Sequence, residues 1–319
     1  MEEVLVKSEE VSDPRFGEYP GARKIEELIE NGIVVIDKPS GPTSHQVTSW
    51  VRDMLKLKKA GHSGTLDPKT TGVLVIALEK ATKIMKALMG LDKEYISIMH
   101  LHKNVPDKKL QITLDNFEGE ILQKPPVKSS VKREERIREV HGIDILDRDG
   151  NDVLIRVKCE AGTYIRKLIH DAGEQIGGAH MKELRRTKVG PFTEDMSYKL
   201  QDLKDSYVLW KKNGNDSIRS LIGPVESGAE HLRWILVKDT AIDSICHGAP
   251  LGVGGVSKLH SNIEKGDMVQ ISSLKGELIA IGKAEMDSQE IFESGKGKAA
   301  ELERVIMNRN TYPSSWKNV

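Results

Sequence analysis

The sequence predicts an α+β fold in two parts: a larger domain of mixed helices and strands, then a small β-barrel or sandwich. Three observations predict it. At 319 residues the chain is long enough for roughly two domains. Helical and alternating apolar patterns are mixed up to about residue 230. Composition then shifts across KKNGNDSIRSLIGPVESGAE, residues 211–230, and short strands with regular turns follow: WILVKD, GAPLGVGGV, KGDMVQIS and GELIAIGKA.

In chain order, residues 1–22 read as an extended arm broken by Pro14, Gly17, Pro20 and Gly21. ARKIEELIENG is a short helix stopped by Gly32. IVVIDKP is a buried-type strand closed by Pro39. In SGPTSHQVTSWVRDMLK, Thr43 or Ser44 can cap an amphipathic helix. A glycine-rich turn, AGHSGTLDPKTTG, leads into the apolar strand VLVIAL. KATKIMKALMG is a predicted helix, and KEYISIMHLH alternates as a strand. DILDRDGNDVLIRVKCE is a hairpin turning at Asp149–Gly150–Asn151. GTYIRKLIHDAGEQIGG is a helix opening at Thr163, with Ile165, Leu168, Ile169, Ala172 and Ile176 on one face.

Composition excludes several classes. No apolar run reaches the roughly 18–20 residues of a membrane span. The acidic start, MEEVLVKSEE, does not resemble a signal peptide. Cys159 and Cys246 stand far apart with no metal-type spacing, so neither a disulfide framework nor a structural zinc is expected. A cytoplasmic protein fits all three. Lys and Arg balance Asp and Glu at 48 each, but unevenly along the chain. Residues 1–30 hold nine acids and four bases, whereas 124–138 hold six bases and two acids. KELRRTK at 182–188 has four bases and one acid. Such windows are candidate phosphate-binding strips, with Lys132, Arg133, Arg185 and Arg186 their central cations, or else ordinary solvated faces.

The glycine-rich turn is where chemistry is expected. Pro68 stiffens the chain directly after Asp67 and keeps Asp67 extended. A carboxylate on a rigid loop between strands suits a nucleophile or base, although Asp also caps ordinary turns. Two other segments matter if they meet this loop. Arg166, beside Tyr164 in GTYIRK, would hold the acid ionised, and Tyr95 in KEYIS could stack on a base.

GHSGTLDPKTTGVL resembles the catalytic motif of the TruB/dyskerin family of RNA pseudouridine synthases. VIDKPSGPTSHQV, KEYIS, QKPPVKSSVKR, EAGTYIRKLIHDAG and GAHMKELRRTKVGPF resemble further motifs of the family, in its order. Residues 231–306 resemble a PUA domain. MHLHKNVPD, PPVKSSVKREERIREV, the full PUA domain and a final YPSSW resemble most the archaeal, dyskerin-like catalytic subunit of H/ACA ribonucleoproteins.

The resemblance implies an N-terminal arm (1–22) able to pack on the PUA domain, a mixed-sheet catalytic domain (23–230), a PUA β-barrel (231–306) and a tail (307–319). It implies uridine-to-pseudouridine isomerisation in rRNA, and in tRNA, without metal or other cofactor. Asp67 would be the catalytic aspartate, Arg166 its ion-pair partner, and Tyr95 the residue that stacks on the base and shares in proton transfer. Tyr164 and Leu184 would line the pocket. His62 would take the space the flipped nucleotide vacates, and Lys38 would brace the loop beside the substrate. His247, Gly248, Ala249, Pro250 and Leu251 would meet the ACA end of the guide RNA. Implied partners are the guide, a small brace for the catalytic domain, a glycine-arginine-type β-barrel protein and a kink-turn-binding ribosomal-type protein. Other readings stay open: a stand-alone synthase for tRNA uridine-55, a non-catalytic RNA-binding scaffold, or a phosphotransferase using Asp67. Against the last, Pro68 follows the acid and no magnesium-binding cluster of acids is visible.

Overall fold

The computed structural model describes residues 3–124 and 134–314. The chain opens with β1 (Val4–Val6), α1 (Ile25–Asn31), β2 (Gly32–Lys38), α2 (Ser44–Met54), β3 (Ala60–His62) and β4 (Thr71–Leu78). A 3-10 segment, Glu79–Ile84, leads into α3 (Met85–Met89). Next come β5 (Lys93–Leu101), α4 (Asp107–Asp115), β6 (Gly119–Gln123), β7 (Arg136–Asp149), β8 (Asp152–Cys159) and α5 (Ile165–Glu174). They are followed by β9 (Ala179–Val189), β10 (Phe192–Thr193), α6 (Leu200–Asn213) and β11 (Gly223–Pro224). The last part holds β12 (Arg233–Val237), α7 (Asp239–Cys246), β13 (Leu251–Gly252), β14 (Val256–His260), β15 (Met268–Ser273), β16 (Leu278–Ala284), α8 (Ser288–Glu293) and β17 (Lys298–Val305).

Among the described residues, the larger sheet runs β11-β2-β4-β9-β5-β8-β7-β6, with β3 beside β4 and β10 beside β9. Its β4–β9 junction is parallel and its other pairings are antiparallel. The smaller sheet runs β1-β14-β12-β15-β16-β17-β13, with β12 and β15 parallel. Both sheets are therefore mixed, as the α+β expectation requires. Apolar residues of α5 and α4 pack on β5 and β8, and those of α1, α2 and α6 pack on β2 and β4. A third cluster joins the domains, setting Ile33, Val73 and Val75 against Leu278, Ile281 and Ile306.

Three local expectations shift. The KATKIMKALMG helix splits into a 3-10 segment, Glu79–Ile84, and the α-helix Met85–Met89. α5 opens at Ile165 with Tyr164 as its cap, since the Thr163 hydroxyl donates to the Glu160 carbonyl instead. The basic window 182–188 is neither loop nor solvated helix but part of β9, inside the sheet.

The arm contains β1, which pairs with β14 through Val4↔His260 to Val6↔Lys258. Its acids meet lysines there: Glu10 pairs with Lys238 at 3.0 Å and Glu9 lies 3.6 Å from Lys258. The arm ends at a junction of both domains. Arg23 donates through both terminal nitrogens to Glu226, at 2.7 and 2.8 Å, and Glu226 accepts from the Leu278 amide at 2.8 Å. Only 13% and 11% of the two side chains is exposed, so neither charge is left to water.

Lys38, at the end of β2, fixes the loop that matters most. It is fully buried, and its ammonium donates to the carbonyls of Pro39 (2.9 Å), Pro68 (3.0 Å) and Thr70 (2.8 Å). Thr43 caps α2 by accepting from the Gln46 amide, while the Gln46 side chain accepts from the Thr43 amide. That cap aims Ser44 at the same loop.

Two substitutions test these anchors. Arg23→Met strands a buried carboxylate and should destabilise the fold by about 3 kcal/mol, read as a lowered chemical-denaturation midpoint. Lys38→Met removes the ammonium donor from the enclosed Pro39 and Thr70 carbonyls and should cost about 1–3 kcal/mol in the same measurement.

Candidate active site

The loop between β3 and β4 carries Asp67 on a turn closed by the Thr70 amide donating to the Asp67 carbonyl at 3.0 Å. Its neighbours are pinned on both sides. On one, the Ser44 hydroxyl accepts from the Leu66 amide (2.8 Å) and donates to the Leu66 carbonyl (3.1 Å). On the other, the Pro68 carbonyl accepts from Lys38 and from the Gly41 amide at 2.9 Å. Leu66 is buried in the core, while the Asp67 side chain remains 59% exposed. A rigid frame thus presents one open carboxylate.

Arg166, in the first turn of α5, reaches that carboxylate: its Nη2 lies 3.0 Å from Asp67 Oδ2. At such exposure the pair adds little to stability. Its value is positional, and a substrate closing over it would exclude water and strengthen the interaction. Tyr164 starts α5 and is held through its main chain, its amide donating to Gln123 Oε1 at 2.9 Å and its carbonyl accepting from Gln123 Nε2 at 3.2 Å.

Tyr95 stands in the middle of β5, opposite Val157 of β8 and Arg186 of β9. It is largely buried in the same cluster as Leu66 and Ile165. Leu184, half-buried, packs against that cluster from β9, opposite Ser97. Asp67, Arg166, Tyr95 and Leu184, scattered over more than a hundred residues, are therefore brought to one region by β5, β9 and α5.

His62 ends β3, edge-on to His45 with ring centroids 4.8 Å apart. Both ring nitrogens are enclosed without a hydrogen-bond partner among the described residues. Burial, then the nearby His45 and Arg186, push its pKa down to about 4, so the ring is neutral near pH 7. Lys38 does not face a substrate: it lies beneath the loop as its clamp. Burial lowers its ammonium below the usual lysine range, the Arg186 charge adds to this, and Asp67 opposes it.

The expected basic strip at 182–188 is corrected. Arg186 is only 1% exposed; its Nε donates to the Val73 carbonyl (2.8 Å) and its Nη2 to the Gly64 carbonyl (3.2 Å). The reason is the parallel β4–β9 junction, which sets Arg186 opposite Gly72. Gly72 has φ +102°, and a Cβ there would sit 2.1 Å from the Arg186 carbonyl oxygen. Arg185 is half-exposed but engaged with Asp37 at 2.9 Å and also with Glu194. Lys182 pairs with Asp152 at 2.7 Å. Lys132 and Arg133 lie outside the described residues.

At the other end of the chain, His247 caps the C-terminus of α7, and Gly248, Ala249 and Pro250 are exposed. Leu251 is corrected as a contact residue, being buried in the core of the second domain. Sequence reasoning missed Ser44 as a support of the loop and Arg186 as its floor. The Thr43–Gln46 cap signal could have pointed to the first; no local signal points to the second. Among the described residues, no group of three or more His, Cys, Asp or Glu is placed to hold a metal ion.

Known proteins are similar to this chain over nearly its whole length. Family models match consecutive parts: the DKCLD (NUC011) domain at 1–48, the TruB family pseudouridylate synthase N-terminal domain at 52–165, the tRNA pseudouridylate synthase B C-terminal domain at 166–230 and the PUA domain at 233–306. A probable tRNA pseudouridine synthase B of Methanocaldococcus jannaschii is 51% identical over 318 residues, covering 99% of this chain and 95% of that protein. Its namesake in Pyrococcus furiosus is 50% identical over 319 residues, covering 99% and 94%. The crystal structure of a Cbf5-Nop10-Gar1 complex matches with TM-score 0.94 and 50% identity, covering 98% of this chain and 97% of that one. An H/ACA RNP bound to a substrate RNA containing 2'-deoxyuridine matches with TM-score 0.93 and 48% identity, covering 99% and 98%. With half its residues shared over full-length relatives and a matching fold, the chain belongs to the TruB/dyskerin family of RNA pseudouridine synthases.

Proposed function

We propose that the chain is the catalytic subunit of a guide-RNA-dependent pseudouridine synthase, acting on uridines of rRNA and also of tRNA, with Asp67 as its catalytic aspartate. The observation that carries this is the open Asp67 carboxylate, held between pinned neighbours and paired with Arg166. The reaction breaks N1–C1′, turns the base and joins C5 to C1′. It needs a base taken out of its stack, a carboxylate aimed at the nucleotide, and a way to move a proton. Asp67 supplies the carboxylate, acting at the sugar or at the base. Arg166 orients it. Tyr95 offers a ring to the flipped base and a hydroxyl to the proton. Neutral His62, whose ring nitrogens have no hydrogen-bond partner among the described residues, stands beside the loop where the nucleotide departs. Leu184 and Tyr164 bound the pocket.

For targeting, we propose base pairing with an H/ACA guide RNA, whose ACA end meets the exposed His247–Pro250 turn. The partners are the three accessory proteins: a small brace on the catalytic domain, a glycine-arginine-type β-barrel protein and a kink-turn-binding ribosomal-type protein. Relatives with this fold were solved in a Cbf5-Nop10-Gar1 complex and in a substrate-bound H/ACA RNP, which supports the guided reading. A stand-alone tRNA synthase is the second reading, favoured by the curated relatives' name, probable tRNA pseudouridine synthase B. We place the protein in the cytoplasm; no helix among the described residues is long and apolar enough to cross a membrane.

Pseudouridine formation, followed with and without a guide RNA and the accessory proteins, separates the two readings. Guided targeting predicts product on rRNA only with the guide; product on tRNA alone at full rate would favour the stand-alone enzyme. Asp67→Asn should lower turnover on the order of 10⁴-fold or more while RNA binding persists. Continued tritium release from 5-³H-uridine RNA would remove Asp67 from the chemistry. Arg166→Lys keeps the charge but loses the fork, and should slow single turnover by about 10²-fold.

A further inference from the structure

Arg186 presents a problem in energetics. A guanidinium is costly to bury, and buried arginines ordinarily face a carboxylate. Arg186 is 1% exposed, yet its hydrogen bonds run to main-chain carbonyls, and among the described residues no carboxylate lies within ion-pair distance. Arg186 stands directly opposite Tyr95 in the β5–β9 pairing, and its charge acts on the Tyr95 phenol. The other charged or titratable groups acting on Tyr95 are Asp67 from the loop and Cys159 from β8. Lys93, on the same face of β5, lies in the field of Arg186 as well and donates to the Met89 carbonyl at 2.9 Å. Burial raises the phenol above its usual range; Arg186 opposes that rise, and Asp67 and Cys159 add to it.

The chemistry explains why a cation would be stored there. Whichever carbon Asp67 attacks, N1 must end with a proton and C5 must end without one. We propose that Arg186 is a positioning residue for this exchange, holding the Tyr95 oxygen and balancing the charge of a transient Tyr95 phenolate. As N1–C1′ breaks, N1 keeps the electron pair and takes the phenol proton. After the C5–C1′ bond forms, the phenolate takes the C5 proton. The C5–H pair then restores C5=C6, and the pair displaced from C6 returns to N1 or leaves with Asp67. Tyr95 ends as a neutral phenol, and no outside reactant is consumed. The bond to Gly64 ties the same guanidinium to the loop bearing Asp67, so the two reacting side chains share one support.

This inference rests on the pseudouridine synthase reading and on Tyr95 as its proton-transfer group. The test uses the full chain assembled with guide RNA and accessory proteins, in single turnover, on RNA with hydrogen or deuterium at C5 of the target uridine. Arg186→Lys keeps a cation but cannot span both carbonyls and the phenol; Arg186→Gln, planar and neutral, is the second variant. Either should lose about 10²-fold in rate, with little change in the RNA concentration for half-saturation, and should show a larger C5 deuterium isotope effect than the wild type. In a Tyr95→Phe background, the same Arg186 substitution should add little further loss, because the two act as one unit. Additive losses, an unchanged isotope effect, or a change confined to half-saturation would overturn the proposal. An inactive wild type, or an active Asp67→Asn variant, would instead overturn the parent reading. Wild-type rates in both Arg186 variants, with Asp67→Asn inactive, would overturn the Arg186 role alone.

Discussion

The site depends on one hydrogen-bonding arrangement, the ammonium of Lys38 shared among the carbonyls of Pro39, Pro68 and Thr70. A tight turn between strands leaves carbonyls pointing inward, and enclosed carbonyls need donors. Lys38 meets that need from the end of β2, and Ser44 does the same for Leu66 from α2. With the backbone held from below, the Asp67 side chain can stay open to solvent without the turn losing its shape. An exposed acid on an unsupported loop would sample many directions; this one has few.

The sheet adds the remaining parts. β9 lies between β4 and β5, parallel to one and antiparallel to the other. The single residue Arg186 therefore lies opposite Gly72 at the root of the Asp67 loop and opposite Tyr95 of β5. Glycine at 72 is required by the close approach of the Arg186 backbone. The outcome is a floor of buried cations, Lys38, Lys93 and Arg186, under an open acid. Such a floor suits a site that must hold negative charge developing on a base or a phenol, because preorganised charge in a dry pocket needs no reorientation during reaction.

Charge distribution explains the neutral total. The acidic arm is not a solvated tail over these residues: Glu9 and Glu10 meet Lys258 and Lys238 beside β1. Much of the 182–188 cationic charge is likewise engaged internally, by Asp152, Asp37 and Glu194. Counts of charge along a chain record supply; folding decides which charges remain available to RNA. The turn at Gly248–Pro250 is the complementary case, an exposed surface without a charged side chain.

What the sequence determined by itself was local. The α2 cap at Thr43, the hairpin turn at Gly150 and the stiff Asp67–Pro68 step each depend on residues a few positions apart, and each was legible. So was the set of motifs holding Asp67, Tyr95 and Arg166, because its order along the chain is itself sequence information. Only the tertiary structure decided the rest: Arg186 as a floor instead of a surface strip, Leu251 as core, and the arm's pairing as a strand of the second sheet. Each of these depends on which distant segments pair. A single arginine in KELRRTK carries no mark of its partner strands. Its burial follows from β4 and β5 closing on either side of β9, and that register exists only once the sheet has formed.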